Sequence, residues 1–268
     1  MRPDPDRVAA VIEEIAAQEI SPHFGKLESD AIRRKSSATD LVTRVDEASE
    51  AALRQALCAL ATDAGFIGEE VAAADPTIVA ALAGPGRFWI VDPLDGTRNF
   101  VNGTPEFGTI VAFVEDGRTL MGFIHAVPAQ ATAIAVRGEG VRWNGATPIV
   151  APATADPPEG LRSTGWLTPE WRDRLTSSLR RSFASRPGHC SAYAYLKLMT
   201  GETDFKLSSR IHPWDHAAGA LILDELGGRA SFLATGALYT PQDSIDEPLL
   251  ATAPGRDWED IARRLLEL

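Results

Sequence analysis

The spacing of apolar positions predicts helices at the start of the chain and short buried strands soon after them. Apolar residues recur every three to four positions across residues 8–15, which predicts an amphipathic helix capped by Asp6. The same periodicity predicts a second helix at residues 46–62. Two short apolar runs bounded by turn residues, at 65–68 and 87–91, predict strands.

The middle of the chain is rich in β-branched and apolar residues and predicts further strands at 107–114, 119–126 and 131–136. A Pro- and Ala-rich segment at 151–160 follows, and we expect it to separate two halves of one domain that spans residues 1–268. Beyond it, short strands alternate with helices, which predicts sheets covered by helices. The later elements are predicted at 161–163, 169–179, 183–185, 191–200, 205–207, 214–226 and 249–252, with a helix from there to Leu268.

Composition narrows the range of partners. The chain has 268 residues, 44% of them hydrophobic, and a formal net charge of −11. So acidic a protein repels nucleic acids and anionic membranes, and an anionic substrate would need a bound cation to offset that charge. The sequence shows no signal or membrane-spanning segment, so we expect a soluble cytoplasmic protein. The two cysteines, Cys58 and Cys190, are expected to be small buried hydrophobic residues.

One acidic cluster directly follows a predicted buried strand and has the sequence Asp92-Pro93-Leu94-Asp95-Gly96-Thr97. A turn of this kind can direct two carboxylates and a backbone carbonyl at one point, which suits a hard cation. Gly96 permits close approach of a phosphate to the backbone, and Thr97 offers a hydroxyl near a predicted helix start. An ordinary Asp-Gly turn is the alternative.

Three further acidic clusters lie where other predicted elements begin or end. Glu69 and Glu70 follow a strand, Asp46 opens the second helix, and Asp215 opens an apolar helix that must be buried. Each has a plain alternative: a solvated acidic pair for Glu69 and Glu70, and a helix cap for Asp46 or Asp215. The sequence of one cluster taken alone does not decide between these roles.

Taken together, the clusters resemble the inositol monophosphatase family, which is part of a lithium-sensitive, Mg²⁺-dependent phosphatase superfamily. The resemblance covers residues 35–228 and implies an α+β fold, a layered α-β-α-β-α sandwich of the inositol monophosphatase/fructose-1,6-bisphosphatase type. Relatives are commonly dimers, so it also implies a homodimer. The motifs that carry it are Lys35-Ser36-Ser37, Asp40-Leu41-Val42-Thr43-x-x-Asp46, Phe66-Ile67-Gly68-Glu69-Glu70, Trp89-Ile90-Val91-Asp92-Pro93-Leu94-Asp95-Gly96-Thr97-Arg98-Asn99-Phe100 and His212-Pro213-Trp214-Asp215-x-Ala217-x-Gly219-Ala220.

The resemblance also implies a role for each residue of the site. Phosphoryl transfer needs alignment and charge neutralisation more than covalent chemistry, and bound Mg²⁺ supplies a nucleophile from water near neutral pH. By similarity, Thr97 and Glu69 position the attacking water, Asp46 lies beside the metals, and the amides of Gly96 and Thr97 receive the phosphate of a small phosphorylated metabolite. Asp215 also contacts the substrate. The implied ligands of two or three Mg²⁺ ions are Glu69, Asp92, Asp95, Asp215 and the carbonyl of Leu94.

The substrate side departs from the family pattern. His189-Cys190-Ser191 stands where many relatives have Gly-Thr/Ser-Ala, and Ser208 stands where many have an acid. Lys206 and Arg210 flank Ser208 at strand spacing, so if this segment faces the site we expect a basic pocket that favours a substrate with a second negative group. A pair of solvated surface bases is the alternative. Inositol monophosphate is therefore one candidate among several, with histidinol phosphate, fructose 1,6-bisphosphate and 3′-phosphoadenosine 5′-phosphate as alternatives.

Two rival interpretations remain at this stage. His212 and His216 lie four residues apart and could bind zinc on one helical face, although Pro213 disturbs the start of that helix and the other candidate ligands are oxygens. The second rival is a catalytically idle module that binds metal or phosphate on the same fold.

Overall fold

The computed structural model of the chain describes residues 2–26, 32–34, 41–152, 156–242 and 246–267, with the backbone alone for 32–34 and 41–43. The motif Lys35-Ser36-Ser37 and Asp40 lie outside the described residues. No helix within the described ranges is long and apolar enough to span a bilayer.

A six-stranded sheet forms the larger half of the fold. Its strands follow one another in chain order from β3 to β8, with β3 and β4 parallel and every later pair antiparallel. The strands are β3 (Ala64–Gly68), β4 (Arg87–Asp95), β5 (Gly108–Glu115), β6 (Arg118–Ala126), β7 (Ala131–Val136) and β8 (Gly140–Trp143). A separate hairpin joins β1 (Ile32–Arg34) to β2 (Leu41–Thr43).

A five-stranded sheet forms the smaller half, in the order β10-β9-β11-β13-β12. Its first three strands are parallel, and β13 runs antiparallel to both of its neighbours. The strands are β9 (Glu159–Ser163), β10 (Ala184–Pro187), β11 (Phe205–Ser208), β12 (Arg229–Phe232) and β13 (Leu249–Thr252). The predicted 151–160 segment follows the last strand of the large sheet in the chain, and its last two residues already belong to β9. Its role as a boundary between halves stays a prediction.

Eight α-helices cover the two sheets in the described residues. They are α1 (Pro5–Ile15), α2 (Arg44–Leu60), α3 (Glu69–Ala74), α4 (Thr97–Val101), α5 (Pro169–Ser182), α6 (Ser191–Thr200), α7 (Pro213–Glu225) and α8 (Trp258–Leu266). The first helix begins at Pro5, two residues earlier than a cap at Asp6 predicts, because Asp4 and not Asp6 supplies the capping carboxylate. Likewise α2 begins at Arg44, so Asp46 lies inside the first turn and is not the cap.

The elements stack into five layers, α-β-α-β-α, as the family resemblance implies. Helices α1 and α2 pack on one face of the large sheet, where Leu53 and Leu57 meet Trp89 and Val91. Helices α6 and α7 fill the space between the sheets and pack against both. Helices α5 and α8 cover the outer face of the small sheet. Alternation along β4 explains this arrangement, since Ile90 faces the central helices while its neighbours face the outer ones.

Three short elements were not predicted: strands β8 and β12, each four residues long, and the six-residue helix α3. Of the five-residue helix α4, only the start at Thr97 was predicted. Segments of this length carry too few residues to show a period. The strand predicted at 87–91 continues to Asp95, so the predicted turn around Pro93 is part of β4. This extension positions the site.

Candidate metal centre and active site

The end of β4 contains an irregularity that brings two carboxylates into the site. Asp92 still pairs in register with Ile110, but Asp95 pairs with Gly108, so the ladder shifts between them. Pro93 causes the shift, because it has no N–H to donate. Its carbonyl accepts a hydrogen bond of 2.9 Å from the Thr109 hydroxyl. The carboxylate of Asp92 accepts a bond of 3.1 Å from the Leu94 amide.

A third carboxylate comes from the central helical layer. Asp215 lies in the first turn of α7, and the side chains of Asp92, Asp95 and Asp215 offer oxygens that all lie within 4.8 Å of one another. The structure thus brings together three of the predicted ligands, although Asp215 is at least 120 positions from the other two in the chain. Asp92 and Asp95 are buried, while Asp215 is half-buried.

The start of α6 holds one of these carboxylates in place. Asp95 Oδ2 accepts hydrogen bonds from the Ala192 amide at 2.5 Å and from Cys190 Sγ at 2.9 Å. Burial raises the pKa of the Cys190 thiol well above its usual range, so the thiol keeps its proton and donates. Cys190 is buried as expected, but it also contacts a candidate ligand, which the sequence analysis missed. Donors at a helix N-terminus favour a negative charge there.

The carboxylates destabilise one another when no cation is present. Burial raises the pKa of Asp92 well above its ordinary range, and the charges of Glu69, Asp95, Asp215 and Asp46 raise it further. Burial and the charge of Asp215 raise the pKa of Asp95 to about 6, against the opposite effect of the bonds from α6. Burial also raises the pKa of Asp215, which nearby positive charge partly offsets. Each of these shifts marks a charge that a bound cation would stabilise.

Glu69 reaches the same cavity from the end of β3, where it is the first residue of α3. A second acid fixes this short helix. The carboxylate of Glu50, which is 3% exposed, accepts bonds from the amides of Glu70 at 2.7 Å and Val71 at 2.9 Å. It therefore caps the helix that carries Glu69.

Thr97 connects two other predicted site residues. Its hydroxyl lies 3.1 Å from Asp46 Oδ1 and 3.0 Å from the carbonyl oxygen of Leu94, and it can donate to one of them at a time. Thr97 opens α4 after Gly96, which has a φ of 87° and acts as the N-cap. A side chain at Gly96 would meet the Glu106 carbonyl oxygen at 3.0 Å. The predicted helix start is confirmed, and a non-glycine residue would not fit there.

Glu69, Asp92, Asp95, Thr97 and Asp215 line a cavity of about 490 Å³. Lys206 lies on the wall of the same cavity and is only 5% exposed. Its ammonium group donates to Ser208 Oγ at 2.7 Å and lies 4.9 Å from the centre of the Tyr195 ring. Burial lowers the pKa of Lys206 to about 8, although Asp215 and Asp95 act in the opposite direction. Other wall residues include Arg98, Arg162, His189, Arg210 and Trp166.

The two histidines of the zinc interpretation are engaged elsewhere. His216 is buried, with Nδ1 2.8 Å from the Tyr195 hydroxyl and Nε2 3.1 Å from the Arg210 carbonyl oxygen. His212 stacks on Trp214 and accepts a hydrogen bond from Arg210 Nε. Both ring nitrogens of His216 therefore have partners, and the cluster that the structure brings together consists of carboxylates. The histidine pair does not form the zinc site.

Comparisons with known proteins agree with this geometry. The model of the inositol monophosphatase family matches residues 5–265. A fructose-1,6-bisphosphatase/inositol-1-monophosphatase of Thermotoga maritima is 32% identical over 209 residues, or 77% of this chain and 76% of that protein. A histidinol-phosphatase of Mycobacterium tuberculosis is 32% identical over 203 residues, or 72% of this chain and 74% of that protein. A solved IMPase/NADP phosphatase, complexed with NADP and Ca²⁺, superposes with a TM-score of 0.80 at 19% identity, covering 99% of this chain and 97% of that one.

The fold and the carboxylate cluster define a phosphatase of the metal-dependent, two-sheet type. The chain belongs to the inositol monophosphatase family. It is a phosphoric monoester hydrolase, as the inositol-1-monophosphatases and histidinol-phosphatases among its relatives indicate.

The metal-free protein should lose stability as the pH rises and its buried carboxyls ionise. An aspartate has a pKa of about 3.9 in an unfolded chain, whereas the pKa of Asp95 in the fold is about 6. Between these values the folded state binds more protons, so the free energy of unfolding falls with rising pH. In EDTA, the Tm of the wild type should therefore fall by roughly 3–6 °C more than that of Asp95→Asn as the pH rises from about 5 to 7.5.

Thermal unfolding of both proteins across this pH range measures the effect. The same measurement in saturating Mg²⁺ is the control, since bound Mg²⁺ should prevent the fall of the wild-type Tm with rising pH. A Tm difference that stays constant with pH in EDTA would show that Asp95 ionises normally in the fold.

Proposed function

We propose that the protein is a Mg²⁺-dependent phosphomonoesterase that hydrolyses a small soluble phosphorylated metabolite. The observation that carries this proposal is the cluster of Asp92, Asp95 and Asp215, whose oxygens lie within 4.8 Å of one another at the edge of a cavity. A cluster of carboxylates held this closely is costly without a cation. Its location in a cavity that Lys206, Arg98 and Arg162 also line fits a phosphorylated ligand.

The donor set fits Mg²⁺ better than a softer metal. All of the candidate ligands are oxygens, namely the carboxylates of Glu69, Asp92, Asp95 and Asp215 and the carbonyl of Leu94, and oxygen ligands suit Mg²⁺. Cys190 uses its thiol as a hydrogen-bond donor to Asp95, so it is not a free thiolate ligand. When bound, Mg²⁺ would neutralise phosphate charge and activate water for attack.

The other site residues position the reactants. Thr97 donates its hydroxyl hydrogen to Asp46 and so keeps its oxygen lone pairs available to accept from the attacking water. Glu69, fixed through α3 by Glu50, holds the same water from the other side. The amides of Gly96 and Thr97 bind the phosphate at the start of α4, and Asp215 contacts the substrate from α7. Alignment of this kind accounts for a large part of phosphoryl-transfer catalysis.

The identity of the leaving group is the open part of this proposal. Relatives at about the same identity include a fructose-1,6-bisphosphatase/inositol-1-monophosphatase and histidinol-phosphatases. Inositol monophosphate, histidinol phosphate, fructose 1,6-bisphosphate and 3′-phosphoadenosine 5′-phosphate are therefore the first compounds to test.

We further propose that the protein is a cytoplasmic homodimer without nucleic-acid or membrane partners. Light scattering measures the mass of the assembly in solution.

Phosphate release from this panel of compounds, with and without Mg²⁺, tests the proposed function. We expect Mg²⁺-dependent release from at least one compound and none in EDTA. Binding of Mg²⁺ with no release from any phosphorylated metabolite would favour the idle binding module.

Replacement of Asp92 by Asn should lower kcat/KM by roughly a hundredfold or more at saturating Mg²⁺. The side chain keeps its shape, and an amide oxygen can still accept the Leu94 N–H, but the site loses one negative charge. Asp116→Asn, at an exposed turn, is the matched control. Wild-type turnover by a folded Asp92→Asn protein would show that Asp92 is only a strand residue.

Lithium should inhibit turnover at millimolar concentrations by occupying a Mg²⁺ position with too little charge. The measurement is the rate against LiCl concentration at fixed Mg²⁺, with KCl at equal ionic strength as the control. Full activity at tens of millimolar LiCl would contradict the proposed metal site.

A further inference from the structure

The most unusual group in the cavity is the buried ammonium of Lys206. We infer that Lys206 selects substrates whose leaving group carries a second acidic group, a carboxylate or a phosphate, which it binds directly. This inference rests on the proposed function and deepens it. It assigns the preference to one residue of β11.

The first argument is the burial of Lys206. Lysine is almost never fully buried unless its charge is paired, yet this side chain is 5% exposed. In the part of the chain that the structure describes, its close contacts are the neutral hydroxyl of Ser208 at 2.7 Å and the face of the Tyr195 ring. An ammonium has three N–H donors, and Ser208 takes one of them. Lys206 therefore retains donor capacity at the cavity that it lines.

The second argument is the register of β11. Phe205 and Leu207 face the core beneath the small sheet, so Lys206 and Ser208 face the opposite side and line the cavity. The predicted alternation is thus observed for these two residues. A serine at position 208 leaves the ammonium without an adjacent carboxylate, whereas an acid there would neutralise it.

The third argument is the balance of charge in the loaded site. Asp95 and Asp215 are the acids whose charges act on Lys206. Once they hold a cation, their charge no longer offsets that of the ammonium. The scissile phosphate would neutralise the charge of the bound cation, and a second anion on the leaving group would neutralise that of Lys206.

Arg210 contributes less to this selection than the sequence suggests. It lies beyond the end of β11 and is exposed. Its guanidinium group lies 5.0 Å from the centre of the exposed Trp166 ring and its Nε donates to His212. A solvated, already partnered cation at the cavity mouth gains little from one more ion pair. Arg210 is therefore the matched basic control for Lys206.

Three compounds with one three-carbon skeleton test the inference: glycerol 3-phosphate, 3-phosphoglycerate and glycerol 1,3-bisphosphate. The first has a neutral leaving group, the second adds a carboxylate and the third adds a phosphate. We expect the wild type to prefer at least one acidic compound. In Lys206→Met the ratio of kcat/KM for that compound to kcat/KM for glycerol 3-phosphate should fall roughly ten- to hundredfold.

Two variants separate charge from packing. Ser208→Ala removes the hydrogen-bond partner of Lys206 and should keep the ratio within about threefold, and Arg210→Met should do the same. An equal loss for all three compounds in Lys206→Met would assign Lys206 to the carboxylate cluster as a counter-ion and overturn the inference. A ratio near one in the wild type would also overturn it. Which acidic compound responds identifies the acidic group.

Binding of the same compounds, measured by calorimetry in Mg²⁺, keeps this test separate from that of the proposed function. A Lys206-dependent preference in binding without any phosphate release would contradict the phosphatase proposal and support the role of Lys206. Phosphate release without any preference in rate or binding would support the phosphatase proposal and contradict the role of Lys206. If neither phosphate release nor a binding preference is found, both proposals are contradicted.

Discussion

Mutual repulsion among carboxylates is the constraint on which the rest of this structure depends. Asp92 and Asp95 are buried beside Asp215, and burial together with the neighbouring charges raises the pKa of each. The fold offsets part of this cost at the start of α6, where a backbone amide and a thiol donate hydrogen bonds to Asp95. A bound cation would complete the compensation.

The five-layer architecture allows these contributions to meet at one place. Strand β4 ends at the central layer, and α6 and α7 both begin there. A ligand from the large sheet, a ligand from a central helix and a basic residue from the small sheet therefore line one cavity. Because each side chain belongs to a regular element packed on a core, the positions are set by the fold rather than by flexible loops.

The sequence predicted most long elements and the acids that the structure gathers, since apolar periodicity and the Asp-Pro-x-Asp-Gly-Thr pattern are local signals. The layered architecture followed only from the family resemblance. The sequence did not predict the strand extension to Asp95, because the shift depends on pairing with β5. It also missed the contact of Cys190 with Asp95 and the capping of α3 by Glu50, which join residues 95 and 20 positions apart. Contacts of this range depend on tertiary packing and leave no local pattern.

Crystals of the wild type grown with Mn²⁺ in place of Mg²⁺ would test the central claim most directly. The account predicts an anomalous peak about 2.0–2.3 Å from carboxylate oxygens of Asp92, Asp95 and Asp215, with further ligands at Glu69 or the Leu94 carbonyl. It also predicts that the peak disappears in Asp92→Asn crystals grown in the same way. A saturating Mn²⁺ concentration that leaves this cluster empty, or places the ion on the histidines, would contradict the account.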